Sequence, residues 1–568
     1  MKKIISIWIV ISIVFLVSCD DFLERAPSGL LDEKAVFSNL NNAEGYLNNA
    51  YREVPQLVYR GTFGGYFNLG SGTDEGAYMT GEVYTSKSFN YGDWNPTQFP
   101  LIWSWHAYYA AIRRTNTFIN NYDLIPEEVS GVNFGDKRRR LYGEAHALRA
   151  YYYFLLFSMW GEVPYLSEVL LPGEDNIYLP RTDMNSLIDF INDDIKIAEE
   201  YLSPRYTSSE FGRFTSVAAK ALRSRLYLYY ASKLSNPDND ITRWVKAAEA
   251  AKEAIDFAES NGYALSLTDN ANGQAYERIF KEMTNSEILW SSLSPYEGDG
   301  RYWNGWAGAL VDNGWASEAP VQEMVDAYEM TNGELPVLGY DENHNPIPNI
   351  ASGYDPQNPY INRDKRFYQT IIYHGSYWKG RTIDLSSPNG NYYDKNYART
   401  NYYWRKYMQE EFNIATGSGF SAKRFIVFRL SELYLNYAEA LNESLSSPSK
   451  EVYSAINTIR SRGGLPNLPS NLSKDEMRER IQNERKVELA MENHRFFDVR
   501  RWMIAERVDV GYVHKVHIEN GKFSYPAWEQ SRIFDKKKHY LFPIPQTEID
   551  KNRELLKQNP GWEINENN

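Results

Sequence analysis

One cysteine stands among 568 residues, so no internal disulfide can form and a fold stapled by thiol bridges is excluded. Cysteine-based zinc sites are missing for the same reason, and the eight histidines include no His-Glu-x-x-His. His514 and His517 form a close pair that reads as structural. No Walker loop and no Gly-x-Ser-x-Gly elbow occurs. Gly70-Ser71-Gly72-Thr73-Asp74-Glu75-Gly76 lacks the lysine and the preceding strand of a phosphate loop. Asp238-Asn239-Asp240 lacks the glycine and closing glutamate of a calcium loop. Positive charge is in deficit: 61 Lys and Arg against 74 Asp and Glu leave −13, which opposes the phosphate neutralisation that nucleic-acid binders depend on. The expectation is therefore no metal, no cofactor, no catalytic residue and no nucleic-acid partner. What is abundant is aromatic: 44 Tyr, 26 Phe and 15 Trp in a chain of mean hydropathy −0.56. So many rings in a polar chain point to a surface that stacks on something flat and hydroxylated.

The first residues decide the compartment. Lys2 and Lys3 precede an apolar run from Ile4 to Val17, shorter than the ~20 residues a membrane span needs and suited to a signal-peptide core. The run closes on Leu16-Val17-Ser18-Cys19, which matches a bacterial lipobox and puts the sole thiol at the acylation position. We expect a signal peptide over 1–18 and a mature chain held at a membrane surface by lipid on Cys19 rather than spanning it. Residues 19–40, with Pro27 and Gly29, read as an extended lead-out from that anchor.

Helical spacing then dominates. Trp244, Ala247, Ala248, Ala251, Ile255 and Ala258 form one stripe, and Ala218, Ala221, Leu222, Leu226 and Tyr229 another, with a turn at Asn236-Pro237-Asp238-Asn239. Leu430, Leu433, Tyr434, Tyr437, Ala438 and Leu441 repeat the pattern, followed by a partner helix to Arg462 that Gly463-Gly464 stops. Further helices are expected over 41–54, 101–121, 134–159, 184–202 and 473–492. Ala-rich pairs of this kind stack in tetratricopeptide (TPR) arrays, but no strict period of about 34 residues is present. The fold class is mainly α: a TPR-like helix-pair array over 41–260, a loop-rich aromatic part over 261–420, and C-terminal helices and tail over 421–568. A short strand is expected at Ile288-Leu289-Trp290.

The aromatic part supplies the candidate site. Tyr302-Trp303-Asn304-Gly305-Trp306, followed by Trp315, places three indoles in a stretch with Gly298, Gly300, Gly305, Gly308 and Gly314. Glycines would let rings face outward, and Asn and Asp would take sugar hydroxyls, so a pyranose matches the set chemically. A second group holds Asp74, Tyr84, Tyr91, Trp94 and Asn95; a third holds Tyr377, Trp378, Tyr392, Tyr393, Tyr402, Tyr403 and Trp404. The site expected from these groups is Trp303, Trp306, Trp315, Tyr302, Asn304, Trp94, Asp74 and Tyr84. Two carboxylates ~5–9.5 Å apart, as a glycosidase needs, carry no sequence signature, so hydrolysis stays open as a rival. So does a helical scaffold with a peptide in a TPR-type groove.

Ordered motifs along the chain then resemble one family. Cys19-Asp20-Asp21-Phe22-Leu23-Glu24, Pro320 to Gly333, and Asn358-Pro359-Tyr360-Ile361-Asn362-Arg363-Asp364-Lys365-Arg366-Phe367 look like segments of the SusD/RagB outer-membrane lipoproteins. So do Arg429 to Glu443, Ala455 to Pro466, Glu484 to Trp502 and Leu541-Phe542-Pro543-Ile544-Pro545; Lys365 stands where the family commonly has proline. The resemblance implies a non-catalytic, surface-exposed lipoprotein that captures a glycan, or in some members another nutrient such as a peptide. It also implies a SusC-like TonB-dependent β-barrel as partner. Glu484, Arg485, Glu488, Glu492, Arg495, Asp498 and Arg500 read as an interlocked ion-pair framework around helix packing.

Overall fold

Helix starts follow from side chains that accept the first free amides. Asn39 caps α1 (Leu40–Tyr51), Asp183 caps α4 (Met184–Tyr201), Thr215 caps α5 (Ser216–Ala231) and Asp240 caps α6 (Ile241–Ser260). Between them lie α2 (Ile102–Asn120) and α3 (Gly135–Trp160). After the aromatic part come α7 (Leu430–Ser444), α8 (Lys450–Arg462) and α9 (Lys474–Glu488), the last started by a Ser473/Glu476 capping box. The computed structural model describes residues 33–563, apart from 61–65, 80–85, 171–177, 268–272, 294–300, 395–398, 420–423 and 529–530. The helices expected from spacing are all present, and the fold is mainly α. No helix among the described residues is long and apolar enough to cross a membrane.

Consecutive helices pack on one another, and α6 also packs on α7. On α6 the stripe Ala247, Ala251, Ala254 and Ala258 is buried, and small side chains there allow close approach. The α3 helix is buried on nearly every side from Gly143 to Trp160. It is fixed by a polar tie as well: Arg149 donates to both oxygens of Asp194 on α4, at 2.8 and 2.7 Å, and to Asn116 of α2 at 2.8 Å.

Sheet is confined to two-stranded pairs among the described residues. One of them closes the base of the aromatic part. Strand Ile288–Ser292 pairs antiparallel with Phe425–Arg429, setting Ser292 opposite Phe425 and Ile288 opposite Arg429. Between these strands no described helix exceeds the length of those in loops: Arg301–Ala307, Gln322–Ala327 and Lys365–Thr370 are two turns or less. A second pair, Gly76–Tyr78 with Glu318–Pro320, stitches the aromatic part to the N-terminal region.

Beneath the aromatic part, the sequence motifs converge on one buried charge network. Glu488 accepts from Arg366, Arg429 and Arg462 at 2.8, 2.6 and 2.6 Å. Burial alone would raise its pKa, but these three guanidinium groups hold its carboxyl well below the ordinary range. Arg366 also binds Glu484 and Asp364, Arg429 also binds Glu492, and Arg462 also binds Glu287. Arg485 and Arg501 share Asp498. Arg500 departs from the expected framework: it makes no ion pair among the described residues and lies over the Phe496 ring at 3.5 Å. Burial pushes that guanidinium down to about 10. Each ion here is fully desolvated, so removing one partner strands the others.

Candidate functional site

The Trp303–Trp315 segment is built by its own backbone folding back. Trp315 N–H donates to Gly305 O at 2.7 Å, Ala316 to Gly308 O at 2.8 Å and Ser317 to Trp306 O at 2.8 Å. The return brings Gly314 so close to Gly308 that a Cβ on Gly314 would lie 2.2 Å from the Gly308 oxygen. Glycine here permits backbone contact, not outward rings.

That contact sorts the three indoles. Trp303 is buried and donates to Lys406 O at 3.2 Å. Trp306 is buried against Tyr78 and meets Trp315 edge to face, ring centres 5.8 Å apart. Trp315 is 54% exposed. Asn304 is buried, its side-chain oxygen taking the Gln409 N–H at 2.9 Å. The Tyr302 side chain, Tyr84 and Cys19 lie outside the described residues.

The second expected group is interior. Trp94 is 2% exposed, stacked on His539 and wedged against Trp562 and Phe542. It offers no face to a ligand. Asp74 is buried in the charge network, accepting from Arg495 at 2.7 and 2.8 Å and from Lys486 at 2.9 Å. Burial raises its carboxyl, yet those two cations outweigh burial and hold it well below the usual range. A carboxylate with its lone pairs so engaged cannot also take sugar hydroxyls. Trp303, Trp306, Asn304, Trp94 and Asp74 are therefore corrected to packing and framework residues, because tertiary contacts consume their faces.

Three residues before Trp315, Asp312 gathers groups that sequence spacing does not link. Buried Asp312 accepts from the Tyr392 hydroxyl and from Arg381 at 3.4 Å. Burial and the neighbouring carboxylate push the Tyr392 phenol up. Arg381 belongs to the hairpin Tyr377–Trp378 with Arg381–Thr382, whose Tyr377 is 63% exposed. The rest of the third group, Trp378, Tyr392, Tyr402, Tyr403 and Trp404, is buried, and Tyr393 is half-buried.

Tyr393 leads into a pocket of about 390 Å³ lined by Tyr393, Asp394, Arg399, Asn401, Lys515, His517 and Trp528. Its walls are tied together: Val516 N–H donates to Thr400 O at 3.2 Å, Asn401 donates to Val516 O at 2.9 Å, and Trp528 N–H donates to Val513 O at 2.7 Å. Sequence reasoning missed these cations, though one signal was available. In Lys515-Val516-His517-Ile518 the alternation buries Val516 and Ile518 and turns Lys515 and His517 to one half-buried face. His514, by contrast, is structural: its ring stacks on Tyr340 and bonds Glu323 at 2.6 Å. Among the described residues no cluster of three metal-ligating side chains occurs.

The family model described as "SusD family" matches residues 277–562, and one described as "Starch-binding associating with outer membrane" matches residues 21–228. SusD-like protein P2 of Formosa agariphila is 24% identical, covering 99% of this chain and 100% of its own. A SusD-like protein from Bacteroides fragilis, known by crystal structure, superposes with a TM-score of 0.76 at 28% identity over 94% of this chain and 98% of its own. A laminarin-binding SusD-like protein shares the fold with a TM-score of 0.61 at 23% identity, over 92% of this chain and 99% of its own.

Proposed function

Because the chain belongs to the SusD family, we propose that it is a cell-surface glycan-binding lipoprotein that captures oligo- or polysaccharide and delivers it to a SusC-like TonB-dependent transporter. The observation that carries the binding half is Trp315. It is a large apolar ring left half in water, three residues on from Asp312, whose partner Arg381 is a partly exposed donor. A pyranose presents an apolar C–H face to such a ring and hydroxyls to such polar neighbours. Stacking orients the sugar and polar groups select its hydroxyl pattern; no bond is broken and no catalytic residue is assigned. A membrane-surface address through Cys19 agrees with the outer-membrane association in the second family description.

Affinity electrophoresis against a polysaccharide panel that includes laminarin tests this reading, with wild type beside Trp315→Ala. Retardation of the wild type that Trp315→Ala weakens supports it. Unchanged retardation of the variant removes the site, and new reducing ends in the gel would favour a hydrolase.

A second reading, a scaffold for an extended peptide, is favoured by one observation. A cleft of about 650 Å³ lies between the α5–α6 turn and helices α7 and α9, lined by Lys233, Trp244, Glu443, Lys474, Arg478 and Trp502 among others. Peptides selected on the immobilised protein, and lost with Arg478→Ala but kept with Trp315→Ala, would give that reading the lead.

A further inference from the structure

The glycan-binding reading leaves the charge of the sugar open, and the pocket behind Tyr393 bears on it. The chain as a whole carries −13, yet among the described residues the pocket lining gathers Arg399, Lys515 and the imidazole of His517 beside one carboxylate, Asp394. Glu519 stands at its edge, 3.9 Å from the His517 ring. In the charge network under the aromatic part, buried cations meet carboxylates. Lys406 donates to Tyr276, to Ala490 O and to Glu492, each at 2.7 Å. The half-buried Lys515 has no carboxylate within ion-pair reach among the described residues.

The positive field also extends past the lining. Lys87 is held below the ordinary lysine value by burial and by the charge of Arg399, a like-charge neighbour. Concave walls focus such a field and concentrate ions of opposite sign. The volume, about 390 Å³, falls within the ~300–1,000 Å³ of small-molecule sites. The half-buried Tyr393 adds ring surface to the charged groups, so the lining resembles a sugar site that also expects an anion. One segment links the two regions: Tyr392 is pinned to Asp312, three residues before Trp315, and its neighbour Tyr393 opens the pocket.

We infer that this pocket takes the oxyanion of an acidic glycan, a uronic-acid carboxylate or a sulfate ester, with Lys515 as its principal partner. The inference rests on the glycan-binding reading and narrows its ligand to an anionic polysaccharide. A neutral sugar would leave the ammonium of Lys515 without a counter-charge, whereas an oxyanion meets it with a charge-assisted hydrogen bond.

Affinity electrophoresis of the full chain tests it with polygalacturonate against its carboxyl-reduced galactan, and dextran sulfate against dextran, at low and high salt. The wild type should be retarded by an acidic polymer more than by its neutral counterpart, with salt weakening the effect. Lys515→Ala should lose about tenfold in apparent affinity, as expected for a lost charge-assisted bond, and Lys515→Arg should keep it. Retention on polygalacturonate assigns a carboxylate; retention on dextran sulfate assigns a sulfate ester. Equal retardation by acidic and neutral forms, or an unchanged Lys515→Ala, overturns the inference and leaves glycan binding standing. Equal binding to poly-L-glutamate also overturns it, since the pocket would then read charge on a peptide. Retardation by none of the four polysaccharides removes the inference and the glycan reading together.

Discussion

Lys406 and Lys515 are the same side chain in two regions of one molecule. Lys406 sits in the charge network under the aromatic part, fully buried, with three donors meeting three acceptors at 2.7 Å. Its burial pushes the ammonium down to about 8, and Glu492 pulls it back up. Lys515 lines an open pocket and has no carboxylate partner among the described residues. The indoles divide in the same way: Trp306 and Trp315 touch, yet one is core and the other is half in water. The difference teaches where specificity can reside. Groups whose bonding capacity is used up hold the fold; groups left with capacity to spare are the ones that a ligand can engage.

The comparison breaks most visibly in stability. Lys406→Met leaves Glu492, the Tyr276 hydroxyl and the Ala490 carbonyl short of a donor in the dry interior, and should cost ~3–5 kcal/mol. Lys515→Met should stay within ~0.5 kcal/mol of wild type. Urea denaturation followed by circular dichroism reads both, and equal losses would erase the distinction. The indole pair sharpens it next. Trp306→Ala opens a cavity behind the loop and should cost about 3 kcal/mol of stability. Trp315→Ala should leave stability nearly unchanged while weakening retardation by a bound polysaccharide by ~1–3 kcal/mol, by analogy with ring stacking on nucleobases. Melting curves beside affinity gels separate the two effects.

Next in size is a dependence on pH that has its origin directly behind Trp306. Glu318 and Glu75 lie close together on the strand pair's side of the loop; burial pushes both up, Glu318 to about 8 with the charge of Glu75 adding to it, and Glu75 to about 7 with the charge of Asp74 adding to it. A carboxyl raised in the fold stabilises it fully below the ordinary value of 4.5 and loses that contribution as pH climbs through the raised value. Stability should therefore fall between pH 4.5 and 8. Glu318→Gln keeps an oxygen for the Asn68 N–H and removes the charge, so its decline over that window should be smaller by on the order of 2 kcal/mol. Glu488 works in the opposite sense, its lowered value withdrawing stability as pH drops below 4.5. A Glu318→Gln variant whose decline over that window matches wild type would show that Glu318 ionises without penalty.

Much of the framework was legible in sequence, because caps, helical stripes and charged motifs act at short range. Asp183, Thr215 and Asp240 announce helix starts, and Glu484 through Asp498 announce a charged helix face that has to find partners. The site was less legible because exposure is a tertiary property. Trp303, Trp306 and Trp315 look alike in a glycine-rich stretch; only the Gly308–Gly314 contact decides which ring remains in solvent. Trp94 and Asp74 look like a second binding group until His539, Trp562, Arg495 and Lys486 arrive from the far C-terminal segments. The pocket cations come from separate segments, and only the Lys515/His517 alternation was a local clue.

The smallest expected effect falls on the boundary between the two regions. Arg381 spans it: its guanidinium is partly exposed, 43% by side chain, and reaches Asp312, which is buried and already bonded to Tyr392. An ion pair open to water on one side contributes ~0–1 kcal/mol. Arg381→Ala should therefore move the urea midpoint little, because Asp312 keeps the Tyr392 hydroxyl. If Arg381 is a hydroxyl donor to sugar, the same variant should weaken polysaccharide retardation by less than Trp315→Ala does. A large loss of stability in Arg381→Ala would instead move this residue into the framework, and with it the line between what holds the fold and what meets the ligand.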